Sequence, residues 1–168
     1  MPEFCDLLDG DRGKTGAIHL RGLPLPAGRY HAVVHVWLRG PDGRFLISLR
    51  HPAKRHGGLW ETTGGAVLAG EDSRAAAVRE VGEELGIALD PADGLLLRTL
   101  RREAFHDFCD VWCFAVPALD PGGLTLQPEE VTDARWAGLE EIRALDRAGL
   151  WVSTLRYCGA LFQEDIPC

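Results

Sequence analysis

Gly65–Ile87 reads GAVLAGEDSRAAAVREVGEELGI, and the placement of its charges decides how the rest of the chain is read. From Ser73 onward the run has no proline and is rich in alanine, arginine and glutamate, all good helix formers. Asp72 stands where an N-cap would accept a hydrogen bond from a free amide, and Gly86 stands where a left-handed residue would end the helix. The spacing predicts a helix over about 73–85. At about 100° per residue, Glu80, Glu83 and Glu84 are related as i, i+3 and i+4 and share one narrow arc. Ala75, Val78, Val81, Gly82 and Leu85 take the opposite arc, which predicts one packed face and one acidic face. Glycine costs a helix roughly 1 kcal/mol relative to alanine, so Gly82 on the packed arc predicts close approach to a sheet.

Three carboxylates on one arc repel one another unless a cation lies between them. Oxygen-only donors suit hard ions such as magnesium or manganese, which bridge protein carboxylates to substrate phosphates. Arg79 precedes Glu83 by four residues, and its planar fork of donors can hold that carboxylate and Glu71 from the preceding loop. Gly64 and Gly65 read as points where the backbone comes close to metal or phosphate. An ordinary helix with a solvated acidic face would account for Glu80 or Glu84 singly. It would not account for the glycines and Glu71 at their fixed distances.

These residues fit G-x5-E-x7-R-E-U-x-E-E-x-G-U, with U a bulky aliphatic, at every fixed position, and the chain thereby resembles the Nudix hydrolases. The resemblance covers roughly residues 5–145. It implies an α/β/α sandwich around a mixed β-sheet and the cleavage of diphosphate linkages in nucleoside diphosphates joined to another group, with Mg2+ or Mn2+. Glu80, Glu83 and Glu84 would hold the metal, with a backbone carbonyl of Gly64 or Gly65. Glu83 or Glu84 would accept the proton of an attacking water, and Arg79 and Glu71 would orient them. In the family a further carboxylate outside this segment often joins the metals or acts as base. Glu129 and Glu130 are the candidates, with Glu103, Asp107 and Asp110 behind them. The first hairpin and the strand from Arg29-Tyr30-His31 look more like the isopentenyl diphosphate isomerase branch. Gly64 and Ala66, however, stand where those isomerases carry a catalytic cysteine and a metal-binding histidine, which weighs against isomerase chemistry. A non-catalytic Nudix module that binds a metabolite is the remaining alternative.

Composition is consistent with a compact enzyme. The 168 residues correspond to about one domain, and 46% hydrophobic with 26% charged residues argues against disorder. A net charge of -7 argues against polymeric nucleic acid as a partner and leaves a small phosphorylated metabolite. No segment approaches the roughly 18 apolar residues of a membrane span, and MPEFCDLLDG does not read as a signal peptide, so the cytoplasm is the expected location. The oligomeric state is left open, a homodimer included. Five cysteines (Cys5, Cys109, Cys113, Cys158 and Cys168) without C-x-x-C spacing read as reduced thiols.

Against the acidic background, Arg50, His51, Lys54, Arg55 and His56 form one basic run. Arg50, Lys54 and Arg55 are candidates to hold substrate phosphates, a solvated loop being the alternative. Period-2 patterns and turn residues predict a hairpin over 5–21 and a second one from 31–38 and 44–50 across Pro41-Asp42-Gly43. Further strands are expected at 95–100, 107–116 and 130–138, and a mainly helical segment at 139–162. Ala32, Val34, Val36 and Leu38 share a core face. His31, His35 and Trp37 share the other, which could line a substrate pocket or simply pack. Cys109 and Cys113 alternate onto one face as small packed hydrophobes.

Overall fold

The computed structural model describes residues 2–161. Residue 162 of the predicted helical segment and Cys168 lie outside the described residues.

An N-terminal hairpin, β1 (Phe4–Leu8) and β2 (Lys14–Leu20), forms a small antiparallel sheet of its own. Its turn is closed by Asp9, which accepts hydrogen bonds from the amides of Asp11 and Gly13. Paired backbone bonds between Leu8 and Tyr30 tie the hairpin to the start of the main sheet.

The main sheet is built on β3 (His31–Arg39) and β4 (Phe45–Arg50). The predicted hairpin between them is shorter than the sequence pattern suggests, with paired positions only at Leu38↔Leu46 and Arg39↔Phe45. Beyond that the strands diverge, and residues 60–66 fill the opening. There β5 (Trp60–Glu61) pairs with β4, and β6 (Thr63–Ala66) pairs with β3. Neither strand was expected from the sequence, because two residues and a Gly-Gly pair carry no usable alternation. The far edge of β3 is covered along its whole length by β8 (Asp107–Ala115), in parallel. Antiparallel β7 (Leu95–Arg102) follows β8, and β9 (Val131–Ala137) covers the far edge of β4. The sheet is thus mixed.

Both faces of the sheet are buried. On one side α1 (Ser73–Leu85) lays Ala76, Ala77, Val81 and Leu85 on Val34, Val36, Leu38, Trp112 and Phe114. On the other side α2 (Leu139–Arg147) contributes Ile142, which joins Trp37, Ile47, Val111, Trp151 and Leu155. Each such large apolar side chain stabilises the fold by roughly 1.5–3 kcal/mol on burial. The result is the expected α/β/α sandwich. The C-terminal segment is less helical than predicted. After α2 the chain runs past Trp151, which bridges to Trp60, through a 3-10 turn at Ser153–Leu155 to a short α3 (Cys158–Leu161). No helix among the described residues is long and apolar enough to cross a membrane.

The cysteine expectation holds in part. Cys5, Cys109 and Cys158 are free and buried, whereas Cys113 is disulfide-bonded. Burial pushes the Cys109 thiol up to about 12, as suits a packed side chain rather than a nucleophile.

Candidate active site

Asp72 caps α1 by accepting from the Ala75 amide at 2.8 Å, and Gly86 ends it with φ 68°, as predicted. The buried face differs from the expectation. Ala75 and Gly82 are exposed, and the buried set is Ala76, Ala77, Glu80, Val81, Glu84 and Leu85. Two of the three carboxylates therefore lie on the packed face, and only Glu83 stays open, its side chain 52% exposed. Gly82 is not a point of close approach, since a Cβ there would meet nothing nearer than the Ile87 carbonyl at 3.9 Å.

The close approach occurs in β6. A Cβ on Gly65 would stand 2.0 Å from Glu80 Oε1, and one on Gly64 would stand 2.4 Å from the Val34 carbonyl oxygen. Gly65 thus opens the space that the Glu80 carboxylate fills, and Gly64 lets β6 press against β3. Together they let a helix carry carboxyl side chains down onto a sheet.

Arg79 secures this arrangement with all five of its N–H donors. Its Nε and Nη2 grip Glu71 in a fork at 3.0 Å each, Nη2 also reaches the Ala66 carbonyl at 2.9 Å, and Nη1 bonds Glu80 at 2.9 Å and Glu83 at 3.1 Å. Glu71 in turn accepts from the Leu68 amide at 3.0 Å, so the loop before α1 is locked to the helix.

Glu84 has no such support. Its Oε2 is buried without a hydrogen-bond partner, a condition shared among the described residues only with the neutral Ser48 Oγ and Trp151 Nε1. Burial, and then the nearby charges of Glu61, Glu80 and Glu130, raise its pKa well above the usual carboxylate range. Burial also pushes Glu61 up to about 7, against the pull of Arg50, which donates to it at 2.5 Å. Glu80, Glu83, Glu84 and Glu130 line a cleft of about 560 Å³ together with Gly64, Arg50 and Lys54. Among the described residues no three His, Cys, Asp or Glu side chains converge tightly enough to form a ready metal cage. The carboxylates are held apart on Arg79, on Arg50 and on Lys54, whose Nζ lies 2.5 Å from Glu130. An all-oxygen donor set with one orphaned buried oxygen fits a hard divalent cation.

The comparisons agree with this geometry. A NUDIX domain model matches residues 29–155. The chain belongs to the Nudix hydrolase family. It is 39% identical over 155 residues to an uncharacterised Nudix hydrolase of Listeria monocytogenes, covering 89% of this chain and 88% of that one. Its fold is similar to that of DR0079 from Deinococcus radiodurans, with a TM-score of 0.79 and 24% identity over 96% of this chain and all of the other. It is also similar to a bifunctional NMN adenylyltransferase/ADP ribose pyrophosphatase of Francisella tularensis, solved with AMP and a manganese ion. There the TM-score is 0.60 with 17% identity, covering 83% of this chain and 42% of that one.

In this Nudix hydrolase the basic run is divided between two clefts. Lys54 faces the carboxylates, whereas Arg55 and His56 line a second cleft of about 440 Å³ that adjoins the first and shares Arg21, Arg50 and Gly64 with it. Arg50 staples the run in place by donating from Nε to the Arg55 carbonyl at 2.9 Å. His31 and His35 also line the second cleft. Burial, and then Arg102, bring His35 down to about 3, so it is neutral, and its Nδ1 meets the Tyr157 hydroxyl at 2.9 Å. Trp37 is in neither cleft. It is fully buried in the core, edge-on to Phe45 at 5.2 Å, so of the two readings of this face Trp37 takes the packed one and is not a substrate-binding residue. The strand face predicted as a pocket wall passes into a second core halfway along.

Of the carboxylates outside the helix segment, Glu130 lines the first cleft and exposed Glu129 does not. Asp107 is held by Arg102 at 2.7 Å in the second cleft, Asp110 is bound by Arg12, and Glu103 pairs with Arg101 on the surface. Four charged residues of the two clefts, Glu3, Arg21, Glu61 and Arg102, escaped the sequence reading. Glu61 sits three places before the Gly-Gly pair with nothing to mark it, and Arg21 and Arg102 are brought in by strands remote in sequence.

Proposed function

We propose that this chain hydrolyses the diphosphate linkage of a nucleoside diphosphate joined to another group, or of a related organic diphosphate, with Mg2+ or Mn2+. The observation that carries the reading is the buried, unpartnered Glu84 Oε2 among other carboxylates in a cleft that Arg21, Arg50 and Lys54 also line. Glu80, Glu83, Glu84 and Glu130 would hold the cation, with a Gly64 or Gly65 carbonyl. A divalent ion there supplies positive charge to the phosphoryl oxygens and acidifies the attacking water. Glu83 or Glu84 takes the proton as the new P–O bond forms and the bridging P–O bond breaks. Arg79 and Glu71 keep the carboxylates oriented, and Arg50 and Lys54 hold the phosphates in the ground state. The manganese ion and AMP in the Francisella structure are in keeping with this assignment.

The experiment is a panel of diphosphate compounds assayed with each cation, with both products identified, on wild type and Glu84→Gln. Loss of ~3 kcal/mol of transition-state stabilisation would slow the variant more than a hundredfold. Equal turnover by the folded variant would refute the role of Glu84, and unchanged turnover in excess chelator would refute the metal mechanism.

A further inference from the structure

The second cleft carries a charge pattern that the hydrolytic reading does not use. Its walls hold four arginines, Arg21, Arg50, Arg55 and Arg102, against two carboxylates, Glu61 and Asp107. In a chain of net charge -7 this is a local reversal of sign. Arg50 is paired with Glu61, Arg102 with Asp107 and Arg21 with Glu3. Arg55 has no side-chain partner among the described residues, while its own backbone is held by Arg50. Arg55 is exposed, so its guanidinium is open to an anion entering the cleft.

The same cleft is poor in surfaces for a flat base. It has no tryptophan or tyrosine in its walls, and Phe105, its one benzene ring, is covered by the Arg102 guanidinium at 4.9 Å. The ring of His35 is stacked on Tyr157, with centroids 5.6 Å apart and planes 11° apart. What the walls offer instead is guanidinium N–H groups and two imidazoles, His31 and His56. Such groups recognise hydroxyls and oxyanions.

Because the clefts meet at Arg21, Arg50 and Gly64, a diphosphate lying on the carboxylate side would send one of its two substituents into the basic one. Resting on the hydrolase reading, we infer that this substituent is a hydroxyl-bearing group with an anion of its own, such as a phosphorylated sugar, and that Arg55 recognises the anion. The nucleoside, where one is present, lies on the opposite side of the diphosphate. Arg55 therefore discriminates among substrates, and the adjacent Lys54, which lines the other cleft, does not.

Two matched compounds test this directly. ADP-ribose and ADP-ribose 1″-phosphate differ by one phosphate on the distal sugar. The expected kcat/KM is about tenfold higher for the phosphorylated compound, the worth of one charge-assisted contact, and Arg55→Ala should reduce that ratio to near one. Equal kcat/KM for the two compounds, or a ratio unmoved in Arg55→Ala, overturns the inference while leaving the hydrolase reading intact. Should neither compound be cleaved, the second arm decides. Saturation-transfer NMR without divalent cation should show ribose 5-phosphate binding about tenfold more tightly than ribose, with the difference lost in Arg55→Ala. Equal binding of the two sugars overturns the inference, whatever becomes of the hydrolase reading.

Discussion

At the scale of single residues, the two adjacent glycines of β6 meet different obstacles and should fail differently. A methyl group on Gly64 strikes the backbone carbonyl of Val34, which can move only with the sheet. Gly64→Ala is therefore expected to lower stability by about 1–3 kcal/mol, seen as an earlier denaturant midpoint. A methyl group on Gly65 strikes the end of the Glu80 side chain, which can swing away but then leaves its place beside Arg79. Gly65→Ala should reduce turnover at least about tenfold with a smaller change in midpoint. Equal midpoints for the two variants would contradict this division. Glu61 supports a pH prediction. Its folded-state pKa of about 7 lies above the ordinary 4.5, so the folded state binds more protons between those values and stability falls as pH rises through the window. Without divalent cation the decrease should be on the order of 2–3 kcal/mol, and Glu61→Gln should flatten it. Urea titrations across pH 5 to about 8 measure both curves, and parallel curves would show that Glu61 is not strained by burial.

At the scale of elements, the limits of α1 were legible because capping is local chemistry: Asp72 and Gly86 mark them within the run itself. Asp72→Ala should cost about 1 kcal/mol of stability in thermal or denaturant unfolding. Which face α1 buries was not legible. Ordinary patterning puts carboxylates outside, whereas here the Gly65 gap and the Arg79 fork accommodate Glu80, and Glu84 is buried without a fork of its own. Arg79→Lys keeps the charge but leaves three donors for five acceptor positions, so kcat should drop at least about tenfold while the fold persists. Wild-type kcat in this variant would mean that one point charge suffices. The strands β3, β4, β7, β8 and β9 were also legible, their alternation running over six residues or more. The strands β5 and β6 were not, because they exist only where β3 and β4 part. Within the loop before them, Lys54→Ala should raise KM for a cleaved diphosphate with little change in kcat, and the effect should shrink with added salt if the contact is long-range.

At the scale of the whole molecule, the fold brings three distant stretches to one place. The divergence of β3 and β4 admits Glu61 and the glycines, α1 delivers its carboxylates from one side, and the loop ending at Glu130 closes the cleft. Spacing along one helix revealed Glu80, Glu83 and Glu84. It could not reveal Arg21, Glu61 or Arg102, whose meeting depends on topology, nor that Trp37 is sealed into the core behind Tyr157. The central claim is that this convergence of buried carboxylates is a divalent-cation site centred on Glu84. Electron paramagnetic resonance of free Mn2+, titrated with wild type and with folded Glu84→Gln, measures it without any choice of substrate. The account predicts saturable binding by wild type and at least about tenfold weaker binding by the variant. Identical binding by the two proteins, or none by wild type, would contradict it.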